Sequence, residues 1–142
     1  MKRALASAVE HAEMLGLLAF FRALGAAPLP RRLAWVDRLA VLLPAAGDAA
    51  VPDVWAMRLA GRCSLLVPGS LCLHRVLAAK TWLGRRGRTP QLVLGMRAGV
   101  AEADGHAWLE VDGVPLEAVD EASFTLVLRE AALRASASAA RR

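Results

Sequence analysis

In the stretch PGSLCLHRVLAAKTWLGRRG, positions 68–87, a cysteine and a histidine stand two residues apart. A thiol attacks as its thiolate, and the unpaired N–H groups of a helix N-terminus favour that charge. The turn VPGS at 67–70 precedes an apolar helical pattern, so Ser70 reads as the N-cap and Cys72 falls in the first turn. His74 cannot serve it there. Two residues along a helix is a rotation of roughly 200°, which turns the two side chains to different faces.

An imidazole for Cys72 must therefore come from elsewhere. His11 lies among alanines on an expected first helix and reads as a surface or packing histidine. His106 opens a strand directly after ADG, with Trp108 and Glu110 on its face by the two-residue period. A strand can present an imidazole to a helix N-terminus, which is the arrangement a Cys–His pair needs, with a third group orienting the ring. On these residues alone, a buried structural cysteine is the commoner outcome for Cys72. Cys63 and Cys72 offer neither a disulfide framework nor metal-ligand spacing, so no metal or cofactor is expected and a reducing cytoplasm is.

The elements that must hold these residues divide by period. Helices are expected at about 3–25, at 31–43 with Leu33, Val36, Leu39, Ala40 and Leu43 at helical spacing, at 53–66, and at 71–86. Leu73, Val76, Leu77 and Leu83 give the last of these its inward stripe, and Gly87 stops it. The segment APLP at 27–30 blocks continuation of the first helix, and AAGDAAVP at 45–52 is a loop. After Gly87 the period changes to that of strands. PQLVLGMR (90–97) reads as a strand, GHAWLEVDGVPLEAV (105–119) as a hairpin turning at Asp112-Gly113, and SFTLVLRE (123–130) as a strand or a strand running into a helix. The tail RASASAARR reads as frayed. Helices first and antiparallel strands second make an α+β chain.

A length of 142 residues suits about one domain with its own core. The longest unbroken apolar run, MLGLLAFF at 14–21, falls short of the ~20 residues a membrane span needs, so no transmembrane span is expected. Glu10 and Glu13 likewise argue against a signal peptide. The net charge of +5 gathers in arginine pairs at 31–32, 85–86 (within RRGR) and 141–142. These form either a patch for an anionic partner or a solvated surface, and the second reading is preferred. No helix-turn-helix, zinc-finger or stacking pattern supports nucleic acid.

SLCLHRVLAAKTWLGRRGRTPQLVLGMR followed by GHAWLEVDG resembles the transglutaminase-like leader peptidases of lasso-peptide biosynthesis, over about residues 54–128. The resemblance implies a helical region at 1–50 and a transglutaminase/papain-like core at 51–130, with its active-site helix packed on a small antiparallel sheet, and then a flexible tail at 131–142. It implies Cys72 as nucleophile and His106 as general acid/base. In that family an acid follows on the next strand, often in an Asn-Asp pair. Here the place reads Glu117-Ala118, so the acid is Glu117, Asp120 or absent. A two-residue turn at Asp112-Gly113 pairs Val111 with Val114 and puts Glu117 on the His106 face. A three-residue turn with a glycine bulge flips the parity toward Ala118 and Asp120. Glu117 is placed slightly ahead, and Glu110 suits strand surface better.

The implied reaction is cleavage of the leader from a precursor peptide by thiolate attack and thioester hydrolysis. The Cys72 N–H is a candidate oxyanion donor, and Trp108 and Trp55 are candidate groove walls, though tryptophan as core is the commoner role. The implied partners are the precursor peptide, a small leader-binding recognition protein and the lasso cyclase. The MLGLLAFF helix is a candidate docking surface against the preferred reading of core packing. The implied location is cytoplasmic, with membrane association as a variant of it. Two other readings stand beside the peptidase. One is a catalytically impaired peptide-binding module, motivated by Ala118. The other is a basic amphipathic protein attached to membrane or nucleic acid.

Overall fold

Apolar residues at positions i, i+3, i+4 and i+7 give α1 (Lys2–Ala23) one buried face, made of Met14, Leu17, Leu18 and Phe21. The MLGLLAFF run is therefore mainly core. The computed structural model describes residues 2–43, 50–97 and 104–140. It divides the chain into two compact units, Met1–Thr89 and Pro90–Arg142.

The first unit is helical. Pro28 stands as the N-cap of α2 (Leu29–Leu42) and Pro30 lies in its first turn, so the prolines that end one helix start the next. Leu33 and Val36 are buried as their spacing requires, while Leu43 lies just beyond the helix and is exposed. The loop expected at 45–52 lies in part outside the described residues. α3 (Asp53–Ser64) buries Ala56, Met57, Leu59, Ala60 and Cys63. α4 (Cys72–Gly84) packs against α1, α2 and α3. A single inward stripe underestimates it, because every residue from Val76 to Leu83 is buried. A helix surrounded by three others must be nearly apolar all round, and LAAKTWLG meets that with small alanines and a Thr81 hydroxyl that donates to the Leu77 carbonyl at 2.8 Å. Gly87 (φ +76°) closes the helix as expected, with the Arg88 N–H donating to the Leu83 carbonyl and the Gly87 N–H to the Gly84 carbonyl, both at 3.0 Å.

Two expectations need correction. Arg85 and Arg86 are neither an exposed patch nor a solvated surface. Both pair with Glu13 of α1, and the side chains are 8 %, 2 % and 7 % exposed for Arg85, Arg86 and Glu13. Arg86 also lies over the Trp82 ring, 3.4 Å from its centroid, and Arg88 pairs with Asp53 in the first turn of α3. A run of like charges reads as surface only while its counter-charge, seventy residues upstream, is out of view. The second correction concerns α1. Its stretch Ala4–Ala23 is long and apolar enough, by length and composition, to cross a membrane. The unbroken apolar run begins only after Glu13, whereas the helix is alanine-rich on the other side of it as well. The same features suit a core helix, and Glu13 is engaged with Arg85 and Arg86 as above.

The second unit is an antiparallel sheet ordered β3-β2-β1-β4. Its strands are β1 (Gln91–Arg97), β2 (Gly105–Val111), β3 (Val114–Pro115) and β4 (Phe124–Arg129). Asp112 (φ +51°) and Gly113 (φ +78°) make a two-residue turn with Val111 opposite Val114, which selects the first of the two hairpin registers. One extra residue in β4, between the partners of Leu94 and Gly95, forms a bulge. α5 (Glu130–Ala139) runs through the segment read from sequence as a tail. Glu130, buried, accepts the Leu92 N–H at 3.1 Å and pairs with Arg134 one turn on, which ties α5 to β1.

Candidate active site

Cys72 is the first residue of α4, half-buried and not in a disulfide. Ser70 does not cap this helix. Its hydroxyl oxygen is buried without a hydrogen-bond partner among the described residues, and its N–H donates to the Val67 carbonyl at 3.2 Å in the preceding turn. The helix begins at Cys72, one residue later than a Ser70 cap requires. The N-cap is Leu71, in extended conformation (φ −97°, ψ 166°), whose carbonyl accepts the first helical bond from the Arg75 N–H at 3.2 Å. Leucine has no side-chain acceptor to give. Capping runs backwards instead: the Leu71 N–H donates to Nδ1 of His74, three residues on, at 3.0 Å. This is the returning half of a capping box, with imidazole in the place of a carboxylate or amide. His74 is buried (4 % exposed), which pushes its pKa below the ordinary histidine value, and the positive charges of Arg32 and Arg22 add to that.

Cys63 is a different kind of cysteine. It is buried on α3, its Sγ lies 3.9 Å from the His11 carbonyl, and burial pushes its thiol pKa up. His11 bonds through Nδ1 to the Ser7 carbonyl at 2.7 Å within its own helix. Trp55 donates through Nε1 to Glu10 at 3.2 Å, and Arg62 lies over its ring. Both residues are thus accounted for by packing within the helical unit.

In the second unit His106 is half-buried near the start of β2 and forms a three-ring cluster with Trp108 and Phe124, whose centroids are themselves 6.1 Å apart. Trp108 lies at 6.1 Å and 24°, and Phe124 at 5.5 Å and 26°. The residue opposite His106 on β1 is Gly95, and its hydrogen side chain makes the stack feasible. A Cβ there would meet the Trp108 ring and Phe124 at 3.0 Å. Trp108 is buried, donating through Nε1 to Glu110 at 3.0 Å, and Glu110 also pairs with Arg129. Glu110 is therefore a buried anchor and not the strand-surface residue its position suggested.

His106 lines an open cleft of about 480 Å³ together with Phe124, Ala118, Asp120 and the Arg97–Asp104 ion pair. Asp120 is held by its backbone, since its carbonyl accepts both the Ser123 N–H at 3.0 Å and the Ser123 hydroxyl at 2.8 Å. Glu117 lies outside that lining and is half-buried, with its Oε1 buried and without a hydrogen-bond partner among the described residues. Parity along the hairpin put Glu117 on the His106 face, but the ladder is too short to carry that argument. The pairing ends at Pro115, the Leu116 N–H makes a last bond to the Leu109 carbonyl at 2.9 Å, and the chain then bends.

The sequence reading missed Phe124, Arg97 and Asp104. Phe124 had one signal, a large ring heading an apolar strand. Its place beside His106 depends on β4 pairing with β1, which no local pattern specifies.

These features define an α+β domain with a cysteine opening a helix and, later in the chain, a histidine near the start of an antiparallel strand beside an acid-lined cleft. A family model described as the transglutaminase-like superfamily matches residues 12–129, and the chain belongs to that superfamily. Among curated proteins and among solved structures nothing matches.

Proposed function

We propose that this protein is a cysteine peptidase that removes the leader from a lasso-peptide precursor. The observation that carries the reading is Cys72 as the first residue of α4, capped without a side-chain acceptor. Membership of a superfamily that commonly includes cysteine proteases supports the chemistry. The lasso assignment rests on the resemblance of residues 70–97 and 105–113 to leader peptidases. In this reading the Cys72 thiolate adds to the carbonyl carbon at the leader–core junction. The C–N bond then breaks while protonated His106 gives its proton to the departing amine. His106 next takes a proton from water, the hydroxide adds to the thioester, and the C–S bond breaks to return the thiolate and release the leader as a carboxylic acid. Backbone N–H groups in the first turn of α4 stabilise the oxyanion. Asp120 orients His106, supported by the cleft the two share, with Glu117 as the second candidate.

Because the general acid stands on the leaving-group side, the cleft beside His106 takes the first residues of the released core peptide. A small leader-binding protein presents the precursor.

Ala118 in the cleft favours the second reading, a binding module without turnover. Mass spectrometry of a cognate precursor, incubated with this protein and its leader-binding partner, separates the two. Cys72→Ala and His106→Ala are expected to lower cleavage by at least about 10²-fold, with Asp120→Ala affected more than Glu117→Ala. Normal cleavage by Cys72→Ala sinks the peptidase assignment. Precursor binding without cleavage by the wild type establishes the module.

A further inference from the structure

The bond between the Leu71 N–H and His74 Nδ1 lies one residue from the proposed nucleophile. It fixes the backbone of the residue from which Cys72 enters the helix. The first turn of a helix leaves its N–H groups without intrahelical acceptors, and a Ser, Thr, Asp or Asn cap occupies one of them with its side chain. Leu71 makes no such bond. The returning bond from His74 acts on the Leu71 N–H instead, so the helix start is secured while no capping side chain competes at Leu73 and His74. An unprotonated Nδ1 is required for this. Burial keeps His74 neutral at neutral pH, and the charged groups facing it, Arg22 from the end of α1 and Arg32 from α2, oppose protonation further.

We propose that His74 is a positioning residue for Cys72: its neutral ring holds the Leu71 N–H and so sets the geometry in which the thiol meets the first turn of α4. This rests on the peptidase reading, but it has a readout that needs no substrate. Protonating His74 removes the acceptor and places a third positive charge beside Arg22 and Arg32, so the geometry is lost as pH falls.

Two substitutions separate this role from simple packing. His74→Gln offers a carbonyl oxygen at the position where Gln ordinarily completes a capping box, and it does not titrate. His74→Leu keeps bulk and apolar contact without an acceptor. For each, the rate of Cys72 alkylation by iodoacetamide, followed by peptide mass spectrometry between pH 5 and pH 8, is compared with kcat/KM for precursor cleavage. Thermal midpoints check folding.

His74→Gln is expected to match the wild type within about twofold at neutral pH and to lose less of its rate on acidification. His74→Leu is expected to be slower by about fivefold in both assays, the size of a typical lost cap. The proposal is overturned if His74→Leu reacts as fast as the wild type, or if His74→Gln is as slow as His74→Leu. If the wild type cleaves no precursor while the alkylation pattern holds, the peptidase reading fails and the positioning role of His74 survives.

Discussion

Removing the carboxylate of Glu13 tests how α4 is anchored at the end opposite Cys72. Glu13 accepts from Arg85 and, in a two-pronged contact at 3.0 and 3.3 Å, from Arg86. In Glu13→Ala the two guanidinium groups lose their shared counter-charge in a site where Arg86 is almost fully enclosed. Breaking a buried pair from one side costs about 3–5 kcal/mol. Other contacts soften the loss: Arg85 Nε still donates to the Leu43 carbonyl at 2.9 Å, Arg86 Nη1 to the Trp82 carbonyl at 3.0 Å, and Arg86 keeps the Trp82 face. A value near the lower limit, about 3 kcal/mol, is therefore expected. In a domain whose total stability is about 5–15 kcal/mol this is a large share, worth roughly 10 °C in Tm. Urea unfolding followed by circular dichroism measures it, with the slope m held constant as the check on two-state behaviour. Asp104→Asn is the control, because its partner Arg97 and Asp104 itself are 49 % and 52 % exposed, and such a pair is worth less than about 1 kcal/mol. A second arm replaces the cluster as a whole, with Glu13→Leu, Arg85→Met and Arg86→Met together. Apolar replacement of a complete buried cluster is often neutral, so most of the loss should return. If Glu13→Ala unfolds within about 0.5 kcal/mol of the wild type, as surface substitutions do, the reasoning is refuted.

Two further outcomes follow from the geometry. Gly95→Val should displace the ring stack around His106, because the first added carbon already meets Trp108 and Phe124 at 3.0 Å; a cost of about 1–3 kcal/mol is expected from unfolding, and an unchanged Cm would contradict it. Iodoacetamide at neutral pH should label Cys72 and spare Cys63, whose thiol is buried and pushed toward the protonated form; equal labelling of both in the folded protein would contradict that contrast.

Much of the helical frame was legible because its signals are local. Met14, Leu17, Leu18 and Phe21 repeat with the helix period, Pro28 and Gly87 mark boundaries, and Asp112-Gly113 announces its own turn. What could not be read depends on partners distant in the chain. Arg85 and Arg86 look like surface until α1 brings Glu13 to them, and Glu110 looks like surface until β4 brings Arg129. The hairpin shows a subtler limit. The register was derivable from the turn, but counting parity on to residue 117 assumed a ladder that stops at Pro115. Pro115 does not itself end the pairing, since it stands on an edge strand opposite Glu110 and the next N–H, that of Leu116, still reaches the Leu109 carbonyl. The ladder ends at the bend that follows, which no local signal announces.

The pairing of Cys72 with His74 in sequence looked catalytic, and helix geometry dismissed it. The structure returns His74 to relevance by another route. A helix that begins at a nucleophile has two conflicting needs: its start must be fixed, and its first N–H groups must face the charge that develops there. An Asp cap would satisfy the first need while placing a carboxylate next to a thiolate, where like charges repel. A Ser cap would occupy an N–H of the same turn. With Leu71 at the cap and His74 at the third position, the fixing bond is made to the one N–H that precedes the cysteine, by a ring that stays neutral because it is buried beside two arginines. Such an arrangement exposes the apolar Leu71 side chain, which is 63 % accessible. A helix start selected for stability alone would carry Ser or Asp at position 71, so Leu71→Asp should raise the thermal midpoint while slowing Cys72 alkylation. Faster alkylation in that variant would mean that the cap and the thiol are not in competition.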